Sequence, residues 1–358
     1  MSPRETFAVT HGMTAFSLLQ KNRPTKTSPH SPTHTMGLTA RRLVAIALVS
    51  CGASTAAPVF STYIDKVTQW WPPEAIAAGM ALPGYAADTD YNVINLAFWT
   101  RDGPADLAIV WADLYTYVSA DNPWGNSTAE VQAAWRKLYN DAGIRIVVSA
   151  FGATDFPTSA GASASETCDD ITEFVLANQL DGVDLDWEDN AAMEAGTGEA
   201  WLIECVKTIR ARLPRDEYVV TMAPQGPYFT DIGYYPNGAM LAVDAAVGAE
   251  IDWYNVQFYN QGDTEYNSYE TLFETAEGYF KGTAVAEMVA NGVAPEKIVV
   301  GKPVTTGDAT NTGWMAAADL AVAFTKASAE LGWSAGAMTW QFPSDADGAF
   351  VATLASAL

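Results

Sequence analysis

From Pro58 onward, short apolar runs alternate with longer amphipathic stretches. The runs Val59–Ile64, Tyr91–Trp99, Ile144–Gly152, Leu180–Glu188, Tyr218–Gln225, Trp253–Asn260, Lys297–Thr305 and Gly336–Phe342 have the length and apolar content of buried strands. Between them, Thr128–Ala142, Ser165–Gln179, Glu199–Leu213, Tyr269–Ala290 and Met315–Leu331 carry apolar residues at helical spacing. This alternation predicts an α/β fold, a single-domain TIM (β/α)8 barrel over residues 58–358. An open doubly wound sheet is the rival, but no glycine-rich phosphate loop follows the first run. Only a short loop, Gly307 to Gly313, follows the seventh run, which is too short to hold an inserted α+β subdomain. In a barrel, chemistry belongs at the C-terminal strand ends.

The fourth run, LDGVDLDWE, breaks its apolar character with Asp181, Asp184, Asp186 and Glu188. Period-2 alternation puts Asp184, Asp186 and Glu188 on one face, about 7 Å apart along the strand. Carboxylates crowded in a low-dielectric place repel, which raises at least one pKa and forces proton sharing. Buried unpaired charge costs stability, so the pattern points to chemistry. Four acids at fixed positions arise by chance at about one starting point in 10⁵. Glu188, at the strand tip, is the candidate acid. Asp186 lies one pleat deeper, and Asp184, deeper again, is expected to share a proton with Asp186. Asp181, near the strand start, reads as structural.

Composition narrows the chemistry. The net charge of −23 argues against nucleic acid or an anionic membrane surface as partner, and suits a neutral polysaccharide. The three histidines, His11, His30 and His34, precede the barrel, so its body has no His-based triad or His-ligated metal. Residues 1–35 read as a disordered or upstream extension. From Met36, the pair Arg41-Arg42, the apolar Leu43–Val49 and the small Ser54 and Ala56 form a secretory signal over 36–57. A mitochondrial presequence is the rival. Removing the signal leaves Cys168 and Cys205, an even pair that is either bridged or free. Asn126-Ser127-Thr128 is a glycosylation sequon, consistent with secretion.

The acidic strand resembles the active-site strand of glycoside hydrolase family 18, the chitinases and their relatives, and the resemblance extends along the chain. Asn95-Leu96-Ala97-Phe98 is similar to the family's second strand, and Met222-Ala223-Pro224-Gln225 and Gln257-Phe258-Tyr259-Asn260 to the fifth- and sixth-strand ends of its single-domain plant and fungal branch. Ala337-Met338-Thr339-Trp340 resembles the eighth strand. Ser149-Ala150-Phe151-Gly152 resembles an S-x-G-G pattern, with Phe151 in place of the first glycine.

The resemblance implies a retaining hydrolase of β-1,4-linked N-acetylglucosamine polymers that uses the substrate's own acetamido group as nucleophile. Glu188 would be the acid–base, Asp186 would hold the acetamido N–H, Asp184 would lie behind it, and Tyr259 would hydrogen-bond the acetamido oxygen. Trp340 would form the floor of the sugar site, with Gln257, Gln225, Phe98 and Met222 as further substrate contacts. Trp99, Trp124, Tyr228 and Phe229 are candidates for outer subsites or for packing, and Trp187 for packing. No metal or organic cofactor is implied. The expected partner is chitin or its oligosaccharides, met by a secreted monomer. The rivals are an endo-β-N-acetylglucosaminidase acting on N-glycans and a non-catalytic chitin-binding or inhibitor protein of the same fold.

Overall fold

The computed structural model describes residues 57–65, 89–105, 108, 111–112, 133, 136–137, 139–262, 264–278 and 280–358. The signal segment, the sequon at Asn126, Trp124 and much of the expected helix Thr128–Ala142 lie outside the described residues.

Among the described residues nine strands form one sheet: β1 (Val59–Ile64), β2 (Val93–Thr100), β3 (Gly103–Pro104), β4 (Arg145–Gly152), β5 (Gly182–Trp187), β6 (Val219–Met222), β7 (Tyr254–Gln257), β8 (Ile298–Pro303) and β9 (Gly336–Trp340). The short β3 folds back antiparallel on β2, a hairpin that the apolar pattern does not announce. The other eight strands are parallel, and β1 pairs with both β2 and β9, which closes the barrel as expected. β5 is the fourth barrel strand and carries the acids. At its start, Gly182 has a φ of 156°, and a Cβ there would overlap the Val219 backbone, so only glycine lets β5 and β6 approach so closely.

Seven α-helices of the described residues cover the sheet: α1 (Ala164–Ala177), α2 (Asn190–Ala195), α3 (Gly198–Arg212), α4 (Ala239–Val247), α5 (Val285–Ala290), α6 (Ala317–Leu331) and α7 (Ala349–Ala355). Ser163 caps α1 by accepting from the Glu166 amide at 3.3 Å. The buried face of α1 meets that of α3, and Cys168 and Cys205 form a disulfide between them, with Cα atoms 5.4 Å apart.

The expected helix Tyr269–Ala290 is broken. A π-helical turn at Glu270–Glu274 is followed by irregular chain and then by α5. Gly278 and Gly282 take φ values of 70° and 81° inside the expected helix. Glu287 then accepts from the Ala276 and Ala284 amides, so it caps a new helix instead of continuing the old one.

Candidate active site

The strand that carries the acids is buried along its whole length. At its deep end Asp181 accepts from Arg136 Nε at 2.6 Å, Asn140 Nδ2 at 3.2 Å and the Ile146 amide at 2.9 Å. It therefore ties β4 to the flanking chain and is structural, as expected.

Asp184 lies in the barrel interior, where neighbouring strands supply four donors. Tyr63 Oη and Ser149 Oγ each donate to Oδ2 at 2.8 Å, while Thr221 Oγ1 at 2.7 Å and Asn255 Nδ2 at 3.2 Å donate to Oδ1. Burial raises its pKa, and these hydrogen bonds work in the opposite direction. Tyr63, Thr221 and Asn255 are the functional residues that sequence reasoning missed. Their only signal is a polar side chain at inward parity within an apolar run.

Asp186 accepts from Gln257 Nε2 at 2.9 Å. Burial, and then the charges of Glu188 and Asp184, push its pKa well above the usual carboxylate range. The charge of Glu188 weighs more on Asp186 than that of Asp184, both of whose oxygens are engaged by neutral donors.

Glu188 is the first residue beyond β5 and is only half-buried. Burial raises its pKa, opposed by two amides: Gln257 Nε2 lies 3.2 Å from Oε1 and Gln225 Nε2 lies 3.4 Å from Oε2. Gln257 also donates to the Ala223 carbonyl at 3.0 Å, which fixes its direction.

Tyr259 follows the end of β7 and is buried. Burial, and then the charges of Asp186, Glu188 and Asp184, push the pKa of its phenol well up, so it stays protonated and able to donate. Among the described residues its hydroxyl has no hydrogen-bond partner. Trp340 ends β9, half-buried, with its ring centroid 5.9 Å from Tyr63 and 6.3 Å from Phe98, the latter pair stacked at 25°. A Cβ on Gly152 would lie 3.0 Å from the Phe98 ring. The aromatic floor thus borders the acids through Tyr63.

Met222 does not join this group. It pairs in register with Leu185 and Tyr254, and the Tyr254 hydroxyl donates to Asp244 of α4 at 2.7 Å. That register puts Met222 on the helix-facing side of the sheet, where it is buried in the core. Trp99, Tyr228 and Phe229 are also buried and pack against other aromatics. Trp187 is buried too, its indole donating to Thr158 Oγ1 at 3.2 Å. Phe151 has a φ of 82°, in the left-handed region that a glycine would occupy without strain. Its ring packs edge-on against Trp99 and Trp201, with centroids 6.3 and 5.7 Å away, which holds the residue there. Trp314 is exposed in the loop after β8, where no apolar pattern marks it.

Residues 68–346 match the model of a family described as glycosyl hydrolases family 18. Endochitinase 3 of Metarhizium anisopliae is 27% identical over 228 residues, which cover 55% of this chain and 68% of that protein. The crystal structure of a GH18 chitinase from Pseudoalteromonas aurantia superposes with a TM-score of 0.63 and 28% identity, covering 84% of this chain and all of that one. A fungal endo-β-N-acetylglucosaminidase of the same family, 17% identical, shares the fold with a TM-score of 0.55 over 84% of this chain and 97% of that one.

Proposed function

The chain belongs to glycosyl hydrolases family 18, and from that premise we propose that it is a secreted chitinase that cleaves β-1,4-linked N-acetylglucosamine chains with retention, using the substrate's acetamido group as nucleophile. One observation carries the mechanism. The side chains that face Glu188 from the next two strand ends are the carboxamides of Gln225 and Gln257. A carboxylate nucleophile would have to stand across the sugar from the acid, about 5–5.5 Å away. Asp186 and Glu188 lie instead on the same side of one strand.

In this reading the Asp186–Glu188 pair holds one proton before substrate arrives. An acetamido N–H donating to Asp186 favours its ionised form, so the shared proton moves to Glu188. Glu188 then protonates the leaving oxygen. The acetamido carbonyl, positioned by the Tyr259 hydroxyl, attacks the anomeric carbon to give an oxazolinium ion, with effective molarity from its fixed place on the ring. Ionised Asp186 stabilises that cation. Glu188, now a carboxylate, takes a proton from the water that opens it. Asp184, held by four donors, keeps a negative charge behind Asp186. Trp340 lies beneath the sugar.

Secretion is supported by the Cys168–Cys205 bridge, since such bonds persist in oxidising compartments. The test is a digest of chitin oligomers beside a high-mannose glycoprotein, with products resolved by mass. Shortened N-acetylglucosamine oligomers support the reading. Release of the N-glycan alone replaces it with the endo-β-N-acetylglucosaminidase, and binding without any product with a carbohydrate-binding protein.

A further inference from the structure

Lys302 is the penultimate residue of β8 and is fully buried. It pairs in register with Thr339, whose hydroxyl bonds Thr62 and Tyr91 on the helix-facing side of the sheet. Its side chain therefore leaves the barrel wall on the side away from the acids. Its ammonium donates to three backbone carbonyls: Phe258 at 3.1 Å, Tyr266 at 2.7 Å and Gly313 at 2.9 Å. An ammonium has three donors, so all are used. Among the described residues no carboxylate pairs with it. Burying an ammonium against carbonyls alone is a poor way to gain stability, since an apolar side chain of similar volume avoids the desolvation cost.

The three carbonyls share one feature. Phe258 directly precedes Tyr259. Gly313 backs onto Tyr259 so closely that a Cβ there would overlap its Cα and Cβ. Tyr266 begins the turn whose Asn267 side chain accepts from the Gly313 amide at 2.8 Å. The segment also lies beyond the β ladder, because β7 ends at Gln257. Past that point only two backbone bonds flank Tyr259, from the Phe258 amide to the Gly301 carbonyl of β8 at 3.2 Å and from the Asn260 amide to the Thr312 carbonyl at 3.0 Å.

We propose that Lys302 is a positioning residue for Tyr259, clamping from outside the barrel the three backbone segments that aim its phenol at the acids; the proposal rests on the chitinase reading above. Lys302 touches no substrate. It acts by gathering Phe258, Tyr266 and Gly313 onto one charge.

The experiment is a double-mutant cycle between Lys302→Met and Tyr259→Phe on a chitin oligomer, with amide hydrogen exchange on the same proteins. Misplacing a catalytic group by about 1 Å costs on the order of 10²-fold. Lys302→Met should therefore lower kcat by about that factor, with KM changed less than about threefold. In the Tyr259→Phe background the same substitution should change kcat by less than about twofold, because the hydroxyl it aims is gone. Exchange should quicken at residues 258–260 and 313 and not along β5. Asn267→Ala, which loosens the same turn without touching the ammonium, repeats the cycle if Lys302→Met does not fold, and should show the same non-additivity. Unchanged kcat, equal losses in both backgrounds, or exchange that rises evenly over the barrel would overturn the proposal. If the wild-type protein cleaves no acetylated oligomer, the functional reading falls, and the exchange pattern alone then decides for or against the clamp.

Discussion

Glu188→Gln separates catalysis from stability because the structure assigns opposite signs to the two. The amide keeps its carbonyl oxygen toward Gln257 at the 3.2 Å contact and gives up only the 3.4 Å contact with Gln225, a long hydrogen bond whose loss costs at most about 1 kcal/mol. It removes the proton that general acid catalysis needs, so turnover should fall by about 10²–10⁴-fold, or about 2.7–5.4 kcal/mol of barrel-mouth transition-state stabilisation. It also removes a like charge. In the wild-type protein the folded-state pKa values of Asp184, Asp186 and Glu188 are all raised. Such groups contribute stability that is fully present below their unfolded pKa values and is lost as pH rises through the folded ones. Each unit of upward shift is worth about 1.4 kcal/mol at a pH above both values. The variant escapes the Glu188 share and relieves Asp186. It should therefore melt above the wild type at neutral pH, by about 2 °C per kcal/mol for a chain this long, and the gap should close below about pH 4. The assays are product release from chitin oligomers and calorimetric melting from pH 3 to 8. Near-wild-type turnover would refute the assignment of the acid. A variant that melts below the wild type at every pH would refute the strained-carboxylate account.

Deacetylated glucosamine oligomers should go uncleaved, and a thiazoline analogue of the oxazolinium should inhibit, less strongly in Tyr259→Phe; cleavage of deacetylated oligomers or a trapped ester on Asp186 would rule the mechanism out. Gln257→Leu removes a donor that holds down the pKa values of Asp186 and Glu188, so the alkaline limb of the kcat/KM profile should move to higher pH; a shift to lower pH contradicts the assigned hydrogen bonds. Replacing Cys168 and Cys205 by Ala opens a bridge of sequence separation 37, which should cost about 4 kcal/mol of stability and leave kcat intact; equal melting of the two proteins would mean that the thiols are not joined. N-terminal sequencing of the extracellular protein should begin near Ala57, and residues 1–35 on that form would refute the signal reading.

The barrel was legible because fully buried parallel strands write themselves as apolar runs. The acids stood out because charge inside such a run has no stabilising explanation, and their parity alone put three of them on one face. Parity would also have corrected Met222: it neighbours Thr221, whose hydroxyl reaches Asp184, so its own side chain had to leave on the other side. The break in Tyr269–Ala290 was hidden because its apolar spacing suits a helix, and only the two glycines, which a helix tolerates at modest cost, argued against it. Tyr63, Thr221 and Asn255 were invisible for a different reason. A neutral polar residue in a strand is commonplace, and its purpose appears only when a distant carboxylate arrives beside it.

That arrival bears on how the chain folds. The four donors to Asp184 come from residues 121, 35, 37 and 71 positions away along the chain, and Asn255 further bonds Tyr63 across 192. β1 and β7 must both be in place before this carboxylate is fully solvated by protein. A chain assembled only through β6 leaves part of its innermost charge unanswered, whatever apolar surface it has already buried. Pairings of such long range are slow to form. The same residues that stage the chemistry thus penalise any partial sheet that lacks β1 or β7, so the acidic centre is completed late, when the two ends of this span meet.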